Sequence, residues 1–230
     1  MTSGPPEPVG AGPTRIVHHA DARVWLDAQP PGTFSRGSFI TSLPDISELS
    51  SHTLESWKRW FMDAAAQVIR VCPDDGVAIF FQSDIKKGDA WIDKGYLVMR
   101  AAEEVGGVRL LWHRIACRNR PGTPTQGRAT WSHLLCFSRS VSAALARPLP
   151  DVLPDMGEAN WVRGMGDEVC RLACRYVRDN TGTRTIFDPY CGRGMVLAIA
   201  NECGFDAVGV ELSAKRARQA AAHRRTVPAP

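Results

Sequence analysis

The sequence contains no apolar run approaching the roughly 20 residues that span a bilayer. Residues 1–13 have neither a charged leader nor an apolar segment, so we expect no signal peptide there. They are rich in Gly and Pro, and we expect residues 1–14 to form a disordered tail. None of the seven cysteines forms a C-x-x-C pair, which argues against structural zinc. These absences predict a cytoplasmic protein with reduced thiols, no membrane partner and no metal.

Acidic residues are missing from two stretches of a chain whose net charge is only +4. Residues 105–150 contain seven arginines and no acid, and residues 212–230 contain five basic residues and no acid. The rest of the chain therefore sets 16 basic residues against all 24 acidic ones. This segregation predicts a polyanionic partner on one face; the alternative is a solvated surface without a partner.

A glycine-rich turn, D-P-Y-C-G-R-G at residues 188–194, lies between an apolar strand and a helix. A second apolar strand then ends at Glu211. The glycines let the backbone turn sharply and a ligand come close, and an acid at the next strand's tip can accept hydrogen bonds from ribose hydroxyls. The G-x-G-x-x-G spacing of nicotinamide-binding folds is absent. The pattern predicts the adenosyl-cofactor half of a Rossmann-like sheet; the alternative is a structural turn in another α/β protein.

These motifs resemble those of class I S-adenosylmethionine-dependent methyltransferases. The octapeptide D-P-Y-C-G-R-G-M is most similar to the D-P-F-C-G-S-G-T form of amino-methyltransferases that modify nucleobases. The resemblance implies S-adenosyl-L-methionine as the cofactor, and it places residues 160–166 in a loop that touches the methionine moiety. The residues it implies for cofactor binding are Asp21, Arg163, Asp188, Pro189, Tyr190, Gly192, Gly194, Glu211 and Leu212.

Seven apolar segments are predicted to be strands, and most alternate with helices. The helices are predicted at about 22–28, 52–71, 91–105, 166–178 and 214–225. Alternation predicts right-handed βαβ units, with one antiparallel pair around the loop 118–128. We therefore expect an α/β fold with a Rossmann-like, seven-stranded, mostly parallel sheet and helices on both faces, in one domain over 15–225 followed by a tail at 226–230. The predicted strands end near Asp21, Thr41, Phe81, Arg114, Phe137, Asp188 and Glu211.

The motif order resembles the circularly permuted beta-group N4/N6 nucleobase amino-methyltransferases. In that family a G-D-A-like element precedes an [S/D/N]-P-P-[Y/F/W] catalytic motif, and the cofactor turn comes last. Here A-D-A at 20–22 matches the first element, and S-L-P-D at 42–45 stands at the second. The resemblance implies a catalytic-motif half at 15–147, a cofactor-motif half at 155–225, and Ser42, Pro44 and Asp45 as catalytic residues.

The catalytic turn departs from the family pattern at two positions. Ser42 and the carbonyl after it would accept the hydrogens of an exocyclic amine, with Pro44 stiffening the turn. Leu43 replaces one proline, and Asp45 replaces the aromatic residue that stacks on a flipped base. Asp45 could accept amine hydrogens, act as a general base, or cap the next helix. Three tryptophans could supply the stacking or belong to the core: Trp25, Trp91 and Trp131.

The loop 118–128 is basic, long and irregular, which favours a functional role. Arg118, Arg120 and Arg128 are predicted to contact phosphates. These features favour a methyltransferase acting on a nucleobase amine in RNA or DNA, and the lack of a sizeable target-recognition insert favours structured RNA or loosely specific DNA. The alternatives are a small-molecule N- or O-methyltransferase and a methyltransferase-like binding protein without catalysis.

Overall fold

The computed structural model describes residues 12–144, 147–161 and 164–223. A 3-10 turn at Ile46–Glu48 follows the second strand. The strands within these residues are β1 (Arg15–His19), β2 (Gly37–Thr41), β3 (Ala78–Gln82), β4 (Ile85–Lys87), β5 (Ala90–Ile92), β6 (Arg109–Cys117), β7 (Trp131–Ser138), β8 (Val152–Leu153), β9 (Thr185–Asp188) and β10 (Asp206–Glu211). The helices are α1 (Ala22–Asp27), α2 (Leu54–Val71), α3 (Lys94–Val105), α4 (Asp167–Asn180), α5 (Met195–Glu202) and α6 (Ala214–Ala222).

Eight strands form one sheet in the order β1-β10-β9-β2-β3-β7-β6-β8. The first five are mutually parallel, and β7 is antiparallel to both β3 and β6. All seven predicted strands lie in this sheet, so the mostly parallel α/β fold is confirmed. The predicted count was one too low, because the two-residue β8, in a Pro-rich segment between the two predicted motif halves, pairs with the edge of β6.

Helices cover both faces of the sheet, as predicted. On one face, α1, α2 and α3 surround a cluster that includes Trp57 and Phe61, which the 3.6-residue period of α2 turns towards the strands. On the other face, α4, α5 and α6 pack over a second cluster that includes Tyr176 and Leu197. The sheet is therefore packed against helices on both of its faces.

The segment 85–92 is a β-hairpin, which corrects the predicted helix at 91–105. β4 and β5 pair antiparallel around the two-residue turn of Gly88 and Asp89, and Gly88 has a φ of 60°. The helix begins only at Lys94, after Asp93 caps it by accepting a hydrogen bond from the Tyr96 amide at 2.8 Å. Trp91 therefore belongs to a strand, not to a helix.

Thr14, which precedes β1, is held against β10 by two hydrogen bonds. The amide and hydroxyl of Thr14 donate to Asp206 Oδ1 at 2.7 and 2.6 Å. The rest of the predicted N-terminal tail up to residue 11, the basic residues 224 and 225, and the tail 226–230 lie outside the described residues. In the described part of the chain, no helix is both long and apolar enough to cross a membrane.

Candidate active site

The carboxyl ends of the parallel strands open onto one cavity of about 950 Å³. Ligands of open α/β sheets bind at this edge. Residues of both predicted motif halves line it. The predicted site residues that line it are Asp21, Ser42, Pro44, Asp45, Arg118, Arg128, Asp188, Pro189, Tyr190, Gly192, Glu211 and Leu212.

Three predicted site residues are not among the residues that line the cavity. Gly194 is buried at the start of α5. Arg120 is exposed and lines a separate, shallower cavity with Pro154 and Asp155. Arg163 lies outside the described residues.

Asp188 is buried at the end of β9, where it braces the glycine turn. Its Oδ1 accepts hydrogen bonds from the Thr41 hydroxyl at 2.7 Å and from the Tyr190 amide at 3.2 Å. Burial raises the pKa of this carboxyl to about 7, against the two hydrogen bonds that lower it. Asp188 thus ties the cofactor strand to β2, the strand that carries the catalytic turn.

Glycine suits the two positions of the turn for different structural reasons. Both have left-handed backbones, with φ of 54° at Gly192 and 80° at Gly194. A Cβ on Gly194 would lie 2.7 Å from the Ala220 Cα, so the close packing of α6 excludes any side chain there. A Cβ on Gly192 would meet nothing within 4 Å and would point into open space. Gly192 therefore lets a ligand approach the backbone, whereas Gly194 lets a helix approach it.

Glu211, at the end of β10, is buried and held by residues that follow it. Its Oε1 accepts from the Ser213 amide at 2.7 Å and from Arg216 Nε at 2.9 Å. Arg216 also pairs with Glu48 Oε2 at 3.3 Å through Nη1. Glu48 follows the catalytic turn, so Arg216 bridges the acid of the cofactor half and the acceptor side of the cavity.

Asp21 and Leu212 form the rim next to Glu211. Asp21 caps α1, because its Oδ1 accepts from the amides of Arg23 at 2.9 Å and Val24 at 3.0 Å. Leu212 is 62% exposed, and its carbonyl lies 3.0 Å from His19 Nε2. An exposed leucine beside a buried acid provides an apolar surface on which an adenine ring could lie.

The loop before α4 closes one side of the cavity. Asn160 exchanges hydrogen bonds of 3.3 Å with Arg193 of the glycine turn, side chain to backbone in both directions. The Arg216 guanidinium lies 5.8 Å from the centre of the Trp161 ring. This is the loop predicted to touch the methionine moiety, and Asn160, Trp161 and Gly164 line the cavity.

The catalytic turn after β2 is fixed by contacts behind it. The Leu43 side chain is buried in the core of the α1–α3 face. Trp57, itself fully buried, donates from Nε1 to the Pro44 carbonyl at 3.3 Å. Ser42 is partly exposed and lines the cavity. The departure at Leu43 thus serves packing and leaves Ser42 facing the cavity.

Asp45, which stands where the family has an aromatic residue, forms an ion pair with Lys94. Its Oδ1 lies 2.5 Å from Lys94 Nζ, and the Lys94 side chain is only 5% exposed. The ammonium also lies 5.9 Å from the centre of the Phe61 ring. A buried lysine is costly unless it is paired, so Lys94 depends on Asp45 for its charge compensation.

Behind this pair, one histidine joins the two ends of the hairpin. His133 Nε2 lies 3.0 Å from Asp84 Oδ1, just before β4, and 3.3 Å from Asp93 Oδ1, just after β5. Its Nδ1 lies 3.0 Å from His113 Nε2, and burial is the main cause that lowers the pKa of His113. His133 and the two aspartates place metal-type ligand atoms within 4.8 Å of one another, but each of these side chains already takes part in a hydrogen bond.

The three arginines of the basic loop have different environments. The Arg118 guanidinium is largely buried: Nε donates to the hydroxyls of Ser83 at 2.9 Å and Ser132 at 3.1 Å, and burial lowers its pKa. Arg118 therefore ties the loop to the strand ends, and its predicted phosphate contact stays a prediction. Arg128 is exposed at the cavity mouth, and its backbone bridges to Ile85 of the hairpin. Of the three, Arg128 alone combines exposure with a place at the cavity.

Sequence reasoning missed several residues that line the cavity, among them Glu48, Lys86, Lys87, Lys94 and Arg216. A hairpin signal was present, because a Gly-Asp pair separates two short runs in I-K-K-G-D-A-W-I. No comparable signal marks Lys94, whose partner Asp45 lies 49 residues away, or the contact of Arg216 with Glu48, which lies 168 residues away.

No family model matches the chain, and no curated protein matches its sequence. Solved structures do share its fold. A protein provisionally assigned as a DNA modification methylase, from Thermus thermophilus, superposes with a TM-score of 0.67 at 19% identity over 90% of this chain and 92% of that one. A structure of the same protein complexed with S-adenosyl-L-methionine gives 0.66 at 18% identity, over 90% and 91%.

Two further methyltransferase structures are similar. The cytosine-N4-specific PvuII DNA methyltransferase superposes with a TM-score of 0.69 at 14% identity, over 95% of this chain and 92% of that one. A complex of M1.HpyAVI with its cofactor gives 0.59 at 12% identity, over 90% and 98%. These matches confirm the predicted Rossmann-like, mostly parallel α/β fold, which the chain shares with these proteins.

Proposed function

We propose that this protein is an S-adenosylmethionine-dependent methyltransferase that modifies an exocyclic amine of a nucleobase in nucleic acid. One observation carries the proposal: the glycine turn, the strand-end acid and the catalytic turn, which are up to 169 residues apart in the sequence, line a single cavity. Proteins with the same fold are DNA methylases by name, and two of their structures contain the cofactor.

The cavity offers polar groups that suit an adenosyl cofactor. The Tyr190 hydroxyl is buried without a hydrogen-bond partner among the described residues, and an unpaired buried hydroxyl is costly unless a ligand or water satisfies it. Glu211 would hold the ribose hydroxyls, Leu212 the adenine, and the open backbone at Gly192 the chain that leads to the sulfonium. When bound, S-adenosylmethionine would supply a methyl group on a sulfonium.

The residues of the catalytic turn would orient the acceptor amine. Ser42 Oγ and the Leu43 carbonyl can accept its two hydrogens, which directs the nitrogen lone pair away from the turn. One proton must leave the amine during methylation, and the Asp45 carboxylate is the acceptor that the turn provides. The Lys94 ammonium holds that carboxylate in place and compensates its charge.

The experiment is methyl transfer from tritiated S-adenosylmethionine to separate fractions of tRNA, rRNA, DNA and small molecules, followed by identification of the labelled product. Two variants test the two halves of the cavity. We expect Glu211→Ala to weaken cofactor binding in calorimetry by at least about 1.5 kcal/mol, and Asp45→Ala to abolish transfer with cofactor affinity nearly unchanged. Glu55→Ala, an acid on α2 whose side chain is 80% exposed, is the matched control and should behave as the parent.

The outcomes separate the competing functions. Label found only in small molecules would replace the nucleic-acid substrate with a small-molecule acceptor. Cofactor binding without label in any fraction would point to a binding protein without catalysis. Unchanged cofactor affinity in Glu211→Ala would remove Glu211 from the site, and wild-type transfer by Asp45→Ala would leave Ser42 as the residue to test.

A further inference from the structure

The hairpin β4–β5 beside the cavity has one packed face and one free face. Ile85 and Ile92 are opposite each other and pack against the core of the α1–α3 face. Lys86 and Trp91 are also opposite each other and, because side chains alternate along a strand, they point to the other face. Both are exposed, and Trp91 is 52% exposed. The free face thus presents a lysine and an indole side by side.

The hairpin is anchored where it joins the rest of the protein. His133 contacts both of its ends, through Asp84 and Asp93. The Lys94 amide donates to Asp84 Oδ1 at 3.0 Å while its side chain pairs with Asp45 of the catalytic turn. The free face is therefore held in a fixed position relative to the catalytic turn. A molecule bound on this face would extend into the cavity from that position.

The composition of this region suits an unpaired nucleic-acid strand. In the described part of the chain, two aromatic side chains are about half exposed, Trp91 and Tyr96, and both belong to this region. Lys86 and Lys87 line the cavity mouth together with Arg128. Asp89, at the tip, is an exposed acid on the hairpin, and Asp84 and Asp93 are occupied by His133. An exposed indole with neighbouring ammonium groups is the arrangement that stacks a base and contacts the phosphates beside it.

We propose that the Lys86–Trp91 face of the hairpin binds an unpaired segment of RNA next to the base that is methylated, with a flanking base stacked on Trp91 and its phosphate on Lys86. This inference rests on the proposed function. A ribbon that reads duplex DNA places hydrogen-bonding side chains on base edges in the major groove, whereas the free face of this hairpin presents an indole beside a lysine. Stacking on an exposed aromatic needs an unpaired base, which RNA loops present without strand opening.

The test is fluorescence anisotropy of a labelled 12-nucleotide RNA strand, the DNA strand of the same sequence and the RNA duplex, titrated with the full chain across salt concentrations. We expect Trp91→Ala to weaken binding of the RNA strand roughly tenfold and Trp91→Phe to stay within about threefold of the parent, because a phenyl ring still stacks. Lys86→Ser should reduce the log–log salt slope by about 0.7. Lys58→Ser, on α2, is the matched control and should leave the slope unchanged. Circular dichroism and cofactor affinity verify the fold of each variant.

Three results would overturn the proposal, and the first two can be told apart from failure of the proposed function. Parent-like RNA binding by Trp91→Ala, in a protein that still methylates nucleic acid, rejects the stacking role alone. Tighter binding of the duplex, or of the DNA strand, rejects the unpaired RNA segment. A parent that binds no nucleic acid and labels only small molecules rejects the proposed function and the hairpin's role together.

Discussion

In the cofactor half of the cavity, the turn after β9 is shaped by its own backbone: two left-handed glycines and a carboxylate that accepts the amide two residues on. In the acceptor half, the turn after β2 is held by side chains from other elements, Trp57 of α2 and Lys94 of α3. The first half could be recognised from a short motif because its geometry is local. The second half could not, because its geometry depends on distant partners.

The two halves also differ in how far their sequences can change. A local turn with fixed backbone dihedrals tolerates few substitutions, so a short sequence motif is enough to recognise it. A turn that is held by side chains of other elements can change its exposed residue while those contacts remain. The ion pair of Asp45 and Lys94 in place of a stacking ring is such a change, and the hairpin offers an aromatic surface elsewhere.

The largest expected effect comes from the cofactor turn. Gly194→Ala adds left-handed strain and a contact of 2.7 Å with the Ala220 backbone, so we expect a loss of about 3 kcal/mol or more in the free energy of unfolding. Gly192→Ala adds only the strain and should cost about 1 kcal/mol. Urea unfolding of both variants measures the difference. Equal losses would mean that the packing of α6 against the turn is not tight.

A smaller effect is expected from the acceptor turn. Lys94→Met leaves Asp45 without its cation, and since that side chain is 21% exposed, water offsets part of the cost; we expect a loss of about 1–3 kcal/mol. Adding Asp45→Asn should restore most of the stability, because the unpaired charge is gone, but should not restore methyl transfer. If the double variant unfolds as easily as Lys94→Met, packing of the lysine stem, not the ion pair, supports the turn.

The smallest expected effect is a pH dependence of stability caused by Asp188, whose hydrogen bond with Thr41 joins the two halves. Its pKa is raised to about 7 in the folded protein, whereas an unfolded Asp titrates near 4. Between these values the folded state holds a proton that the unfolded state has lost, so the free energy of unfolding falls as pH rises from about 4 to 7. Asp188→Asn removes this fall in the free energy of unfolding, because asparagine does not titrate.

We therefore expect the stability of Asp188→Asn, measured relative to the parent by urea unfolding, to rise by about 2 kcal/mol between pH 5 and pH 8. Its cofactor affinity should fall, because the strand end loses its charge. Asp206→Asn is the control: the Thr14 hydroxyl lowers the pKa of that carboxyl, so its titration lies below pH 5 and the difference from the parent should stay flat. A flat profile for Asp188→Asn would show that the carboxylate is ionised throughout.

The sheet and the cofactor turn could be predicted because their signals are short-range. Apolar runs mark the seven long strands, and the 3.6-residue period marks α2. The predicted start of the third helix at Trp91 was three residues too early, because a hairpin with strands of three residues each gives a weak period, although its Gly-Asp turn was readable. β8 was not predicted, because two residues in a Pro-rich segment are too few to show a strand pattern.

The acceptor half was predicted less completely, for a physical reason. Arg118 and Arg128 look alike in the sequence, yet the first is partly buried and hydrogen-bonded to two serines, whereas the second is exposed beside the hairpin. Which arginine meets solvent depends on how the loop crosses the strand ends, and this crossing is set by contacts between residues far apart in the sequence. The roles of Ser42, Asp45 and the cofactor residues stay predictions that the proposed variants test.

The strand order also affects how the chain can be made. β9 and β10 follow all the other strands in sequence, yet they lie between β1 and β2 in the sheet, and Thr14 contacts Asp206 across 192 residues. On the ribosome, β1 and the free edge of β2 must therefore wait for residues 185–211, roughly 10–30 s at ordinary rates of synthesis. Closing so long a loop is also entropically costly and slows folding. The nascent chain exposes two apolar strand edges during this interval, and these are the segments that a chaperone would have to protect.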